Sequence, residues 1–460
     1  MRIGEAMLSL GAAAADVTDA IRRVGRAFAL ECQVDLTFTA ILVSHDQGPG
    51  APPVTVLRVV ESRGADYGRL TRVLQLADDV VNARTTPDGG GADESGEVVQ
   101  PERTARRIEA AHDELDLIVT APHPYRRSLV TLVLAGMAAA VAVLLGGGFL
   151  VAVVAGGTTA VIDVVVWHLG RWGFPPFFLQ AAGAAIATTV AVLLLVFLPL
   201  LPVDQATLPP SLVVASGIVV LLAGLSLVGA AEDAINGFPV TASARVFEVL
   251  LLTLGIVVGI GGVLDAARRF GVTLELVDVP VSPWPVFVQV LAAAAVAGAW
   301  ALASYARPRA ALVAAAIGGI SWLLFYGLGE LGVGPAAASA GAALAIGFIG
   351  EALSTRLRVP AIVTSVCGIV PLLPGLAIYR GLFNLVDEGG MGRGSEVLLQ
   401  AAMVGLGLAA GVTLGELLAR RVGAGPRRPL LPAHVREIRL LGRRPTVQSA
   451  AAADVAPLGD

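Results

Sequence analysis

Lysine is absent from the 460 residues, and all 32 basic side chains are arginine. Only 15% of residues are charged and 5% aromatic, and the mean hydropathy is +0.77. So little charge in so apolar a chain excludes an ordinary soluble protein. The net charge of −4, with no basic patch interleaved with aromatics before the C-terminal tail, excludes nucleic-acid binding. Cysteine occurs twice, as Cys32 in a polar region and Cys367 in an apolar run, so no disulfide is expected between them. Walker A, G-x-S-x-G and H-E-x-x-H motifs are missing. The segment "HDELD" (112–116) lacks the second histidine of a metal site, and His45, His112 and His123 stand apart from one another. No cofactor or metal is therefore expected, and no process driven by nucleotide hydrolysis in this chain is expected either. Glu5, Asp16 and Asp19 interrupt any signal-peptide core, so the first segment is expected to stay in the cytosol.

What the chain does contain falls into two unlike parts. Residues 1 to 124 hold 12 arginines against 19 acidic residues. Val17, Ile21, Val24 and Phe28 recur at helical spacing and predict a one-faced amphipathic helix. Two β-like runs follow, "CQVDLTFTAILVS" and "PPVTVLRVVESR", and then helices over Tyr67 to Asn82 and Glu102 to Asp116. This predicts a small cytosolic α/β domain. From Ser128 the pattern becomes that of membrane spans of about 20 apolar residues. Ten candidates begin near 128, 149, 177, 210, 243, 284, 308, 335, 359 and 395. With the N-terminus inside, sixteen arginines fall on the inner side and four on the outer, so both termini are expected in the cytoplasm. The tail from 420 holds eight arginines and is expected to be disordered.

An internal repeat underlies the spans. "SGIVVLLAGLSLVGA" (216–230) aligns with "CGIVPLLPGLAIYRG" (367–381), pairing Gly217 with Gly368 and Gly224 with Gly375. "FEVLL" (247–251) matches "SEVLL" (395–399), pairing Glu248 with Glu396, and "HLGRWGFPP" resembles "GLGELGVGP". Five spans per half is an odd number, so the second half enters the membrane from the opposite face. The fold expected is a polytopic α-helical membrane protein of about ten spans in two inverted five-helix repeats. Its parts are the domain 1–124, repeats 125–270 and 271–419, and the tail 420–460. The acidic loop of Glu232 and Asp233 would then face the cytosol and that of Asp387 and Glu388 the outside.

The ninth span carries Pro371 and Pro374 followed at once by Gly375. Each proline removes an amide donor and clashes with the turn before it, leaving carbonyls of residues 367 to 370 without partners. In lipid that is tolerated only against protein or a wet cavity. The broken ends suit the carboxylate and ammonium of a zwitterion or a coupling cation, although a plain kink that shapes packing fits the same residues. The partner segment has Val220 and Ala223 where the prolines stand, so only the ninth span is expected to be strongly broken. Asp163, in "TTAVIDVVVW", is the most deeply placed acid and is expected to couple protons or bind an ammonium group. Glu248, Glu396, Glu351 and Glu416 lie near span ends, where headgroup contact is the alternative. Candidate binding residues are thus Asp163, Gly224, Glu248, Gly368, Pro371, Pro374, Gly375 and Glu396, with Tyr379 and Asn384 following the break.

The segment "GEAMLSLGAAAADVTDAIRRVGRAFAL", the strands after it, ten spans, and "PAIVTSVCGIVPLLPGLAIYRGL" in the ninth resemble the bacterial threonine/serine exporter family over about residues 4–418. Gly368, Pro371, Pro374, Gly375 and Tyr379 are the positional matches. The resemblance implies a cytosolic N-terminal domain, sometimes described as hydrolase-like, and efflux of L-threonine and L-serine across the inner membrane in exchange for protons. The mechanism expected is alternating access, with spans four and nine lining the site, and association of several copies is left open. Two other readings stand beside it. A related group with its two parts on separate chains exports dicarboxylates, which calls for more positive charge near the midplane than Arg380 supplies. A membrane-anchored hydrolase or sensor calls for an equipped pocket in residues 1–124, where His45 beside Asp46 is too little.

Overall fold

The computed structural model describes residues 1–48, 51–61, 63–85, 101–197, 209–218, 221, 224–272, 282–357, 359–386 and 391–423. They lie in one compact unit, Met1–Arg427. The acidic pair Asp387 and Glu388 and the tail beyond 423 fall outside the described residues.

The chain begins with α1 (Arg2–Ser9) and α2 (Ala14–Ala27), whose Val17 and Ile21 are buried. Strands β1 (Cys32–Leu36), β2 (Ala40–His45) and β3 (Val54–Val59) form an antiparallel sheet in that order, with Val34 opposite Val43 and Val43 opposite Val56. Two runs were expected where three strands form. The first run reverses at Thr37–Thr39, where the Thr37 amide donates to the Ala40 carbonyl at 2.9 Å and Ala40 N donates to Thr37 Oγ1 at 3.1 Å. Helices α3 (Tyr67–Thr85) and α4 (Pro101–Thr120) complete this N-terminal layer.

The layer's core does not end at its own boundary. Met7, Ile41, Leu70 and Leu115 belong to one buried cluster with Ala301, Ala314, Val363 and Cys367 of the helices that follow. Hydrogen bonds tie the same surfaces: Tyr67 N donates to Ser304 O at 2.9 Å and Thr241 Oγ1 to Leu36 O at 3.2 Å. Gly68 packs directly on the carbonyl of Tyr305, where a Cβ would lie 2.5 Å away. Tyr305 itself sits at φ 60, a conformation unusual for a side-chain-bearing residue, and its ring stacks on His123 at 4.2 Å. The layer thus caps one end of the bundle, called here the layer end.

Among the described residues, eight helices of the bundle are long and apolar enough to cross a membrane. In chain order they begin with α5 (Arg127–Leu144), α6 (Phe149–Arg171) and α7 (Pro176–Phe197). Two short helices, α8 (Pro210–Gly217) and α9 (Gly224–Ile235), precede α10 (Pro239–Arg269). Then come α11 (Val286–Ala303), α12 (Pro308–Glu330) and α13 (Pro335–Leu357). A second pair, α14 (Ala361–Ile369) and α15 (Gly375–Val386), is separated by a 3-10 turn over Val370–Leu372 and precedes α16 (Met391–Arg421). Proline starts α7, α8, α10, α12 and α13, where its missing amide costs no hydrogen bond. Large apolar side chains such as Leu132, Phe247, Leu250 and Leu312 project outward, as a lipid-facing surface requires. The chain is a polytopic helical membrane protein.

The helix lengths repeat. From α5 to α10 they are 18, 23, 22, 8, 12 and 31 residues, and from α11 to α16 they are 18, 23, 23, 9, 12 and 31. The close seams repeat too. Gly255 and Gly259 of α10 face the carbonyls of Phe177 and Ala181, and Gly407 and Gly411 of α16 face those of Ala336 and Ala340; a Cβ at any of the four would lie under 3.0 Å from its carbonyl. Each of these residues holds the same place in its helix as its counterpart. That register sets Glu248 opposite Gln400, one turn past the Glu396 expected from "FEVLL" and "SEVLL". Backbone contact through the glycines fixes which turn meets which, and a short apolar string does not.

The expectation of one strongly broken span is corrected. α8 ends at Gly217 and α9 starts only at Gly224, so this pair is interrupted without a proline. Thr159 Oγ1 donates to the freed Gly217 carbonyl at 3.1 Å, supplying the partner that a broken helix needs away from water.

Candidate functional site

Two cavities meet at the breaks. The first, about 470 Å³, runs from the layer end inward along α9, α10, α14 and α16 as far as Leu221, Ile369, Val370 and Leu373. The second, about 330 Å³, continues from Val370, Pro371, Leu373 and Pro374 along α15 and past Trp322, Ser339 and Gln400. Met137, Val370 and Leu373 line both, so they form the wall between them. On the continuous helix α16 the first cavity touches Val412 to Arg420 and the second Gln400 to Val404. At 1.5 Å per residue the two are offset along the bundle by roughly 20 Å.

Their chemistry differs. Asp16, Asp19, Glu232, Glu248 and Glu416 line the first cavity together with Arg63, Arg245 and Arg420. No charged residue lines the second among the described residues. Two of the three arginines are engaged within the bundle. Arg245 Nε lies 3.2 Å from Asp233 Oδ2, and Arg420 Nε donates to Glu351 Oε1 at 2.9 Å while its Nη2 donates to Glu416 Oε2 at 3.3 Å. Ser365 Oγ adds a hydrogen bond to Glu416 Oε1 at 3.1 Å. Arg63 comes from the layer, and its guanidinium lies 4.3 Å from the centre of the Phe38 ring. Burial, reinforced by Arg245 and opposed by Asp233 and Glu248, brings the Arg63 pKa down to about 10, so it stays charged at neutral pH.

The residues singled out from sequence divide sharply. Glu248 lines the first cavity, and Gly224, Pro371, Pro374 and Gly375 line the second. Gly368 is in neither lining; a Cβ there would meet Ile317 and Ile346, so its smallness serves helix packing. Glu396 is exposed, and Asn384, on α15, lines neither cavity. Tyr379 also lies on α15, but its side chain is outside the described residues. Asp163 lies apart from both cavities, paired with Arg127 and accepting from Thr131 Oγ1 at 2.7 Å. Its apolar sequence context hides this partner, because Arg127 opens α5 at the same level of the bundle. Sequence reasoning missed Asp16, Asp19, Arg63 and Phe38 as lining residues. The available signal was one of position: Glu232, Arg245, Glu416 and Arg420 all fall at span ends on one side, where a wall from residues 1–124 closes over them.

Interrupted helices between a charged and an apolar cavity, in a bundle of membrane-length helices, define a membrane transport protein. Residues 1–92 and 99–266 match the family described as "Putative threonine/serine exporter", and residues 289–418 match "Threonine/Serine exporter, ThrE". A Mycobacterium tuberculosis protein described as "Probable threonine/serine exporter" is 39% identical over 435 residues, covering 92% of this chain and 77% of that one. The "Threonine/serine exporter" of Corynebacterium glutamicum is 34% identical over 433 residues, 93% of this chain and 83% of that one. No solved structure matches. The chain belongs to the threonine/serine exporter family.

Proposed function

We propose that this protein exports L-threonine and L-serine across the bacterial inner membrane by alternating access, in exchange for protons. The observation that carries the reading is the partition of two cavities by Met137, Val370 and Leu373 at the breaks. Substrate enters the first cavity, which is contiguous with the layer, and moves past this wall when the two halves rock. Each interrupted pair counts as one crossing, giving ten, and the matching lengths and seams support two five-helix repeats of inverted topology. The layer end is cytoplasmic in this arrangement, with residues 1–124 as its domain and both termini inside. Cysteines placed at the exposed Ile235 and Phe270, which flank the two ends of α10, test the topology: labelling of both from one side of the membrane refutes it.

The five carboxylates of the first cavity favour a substrate bearing an ammonium group and disfavour a dicarboxylate. Glu248 is the proton carrier in this reading, since it faces the cavity from a membrane-length helix and its counterpart Gln400 cannot titrate. Cells loaded with a threonine-containing dipeptide and assayed for efflux of threonine, serine and succinate decide the substrate. Faster efflux of the two hydroxy amino acids alone is expected, and unchanged efflux of both sinks the proposal.

A further inference from the structure

The N-terminal layer supplies a wall of the first cavity, and one side chain on that wall keeps two donors without a hydrogen-bond acceptor. Arg63 Nε and Nη2 are buried and make no hydrogen bond among the described residues. The position is built with care. Gly64 N donates to Ser9 O at 2.9 Å and Asp66 N to Leu10 O at 3.4 Å, fastening the segment after Arg63 onto the end of α1. Phe38, beneath the guanidinium, sits in the β1–β2 turn beside Leu36, whose carbonyl accepts from Thr241 of α10. The guanidinium is therefore held from below by the layer, and Arg63 is part of the lining of a cavity enclosed by membrane helices, with these two donors covered at its edge. A guanidinium presents donors in a geometry that matches a carboxylate, and leaving them buried without an acceptor is costly. Arg245 and Arg420 are already paired with Asp233, Glu351 and Glu416.

We propose that Arg63 is the carboxylate-binding residue of the cytoplasmic entrance, holding the α-carboxylate of an incoming amino acid while the acids across the cavity face its ammonium group. The N-terminal domain is then part of the substrate site, and a carboxylate-bearing zwitterion is the ligand class it selects. This rests on the transport reading above.

The test uses the full-length protein in dipeptide-loaded cells, with Arg63→Gln and Arg63→Lys beside the wild type. Loss of a charge-assisted bond is expected to raise the internal threonine concentration for half-maximal efflux about tenfold or more in R63Q, with little change in maximal rate. R63K is expected to recover part of the loss. A role in folding alone would instead lower the amount in the membrane and the maximal rate at unchanged half-saturation, and that result overturns the assignment. If R63Q does not reach the membrane, the wild type decides: internal threoninamide, which lacks the carboxylate, should compete poorly with threonine, and equal competition overturns the assignment. Wild-type protein that exports no threonine refutes the transport reading itself, whereas export untouched in R63Q refutes only the role of Arg63.

Discussion

A Cβ placed on Gly224 would lie 3.5 Å from Leu373 Cβ, so the start of one helix arm rests on the break of the other. That spacing is within the range of a disulfide, whose Cβ atoms are about 3.5–4.5 Å apart. In a background with Cys32 and Cys367 replaced, Gly224→Cys with Leu373→Cys is expected to cross-link on oxidation. Threonine efflux should stop with the bond and return with reductant. A cross-linked protein that exports at the normal rate would show that the two breaks do not move apart during transport.

Glu248 and Gln400 hold equivalent places in α10 and α16 but line different cavities. With Glu248 as the proton carrier, Glu248→Gln should abolish export against a gradient while one-for-one threonine exchange persists. Uphill export that survives in E248Q, with its dependence on external pH intact, assigns coupling elsewhere.

The Asp163 carboxylate is matched by Arg127 and Thr131 at a distance from the cavities. The side chain of Asp163 is largely buried and that of Arg127 partly exposed, so removing either partner should lower the amount of folded protein moderately. Swapping the charges, Asp163→Arg with Arg127→Asp, is expected to restore much of it. Export per folded molecule should change little in any of these variants, which efflux normalised to membrane protein would show.

Arg420 holds Glu351, whose side chain is 2% exposed. Arg420→Ala strands that carboxylate and is expected to destabilise by about 3–5 kcal/mol. Adding Glu351→Leu should return part of the loss, since the more deeply buried carboxylate is then gone and Glu416 keeps its bond from Ser365. Denaturant unfolding in detergent compares the two.

The membrane architecture was largely legible in the sequence because each span must carry its own apolar length. Starts expected near 149, 308 and 335 coincide with Phe149, Pro308 and Pro335. The layer was readable in the same way for α2, α3 and α4, since each has a periodic apolar face. The break at Pro371 and Pro374 announced itself through chemistry, whereas the break after Gly217 did not, because no proline marks it and the side chain that meets its carbonyl, Thr159, comes from another helix. The site was the least legible part. The partner of Asp163 is not evident from its neighbourhood because Arg127 is 36 residues away in sequence. Arg63 gave no signal at all, since its meaning comes from a cavity whose other walls begin more than a hundred residues later.

That the cavity has one wall made by residues 1–124 carries a thermodynamic obligation. Any molecule that binds the layer and shifts its seat alters the affinity for the transported solute by some factor. Linkage then requires the solute to alter the affinity for that molecule by the same factor. A filled cavity would therefore be readable as a change in what the layer binds, so that the protein reports its own cargo on the side of the membrane where the layer lies.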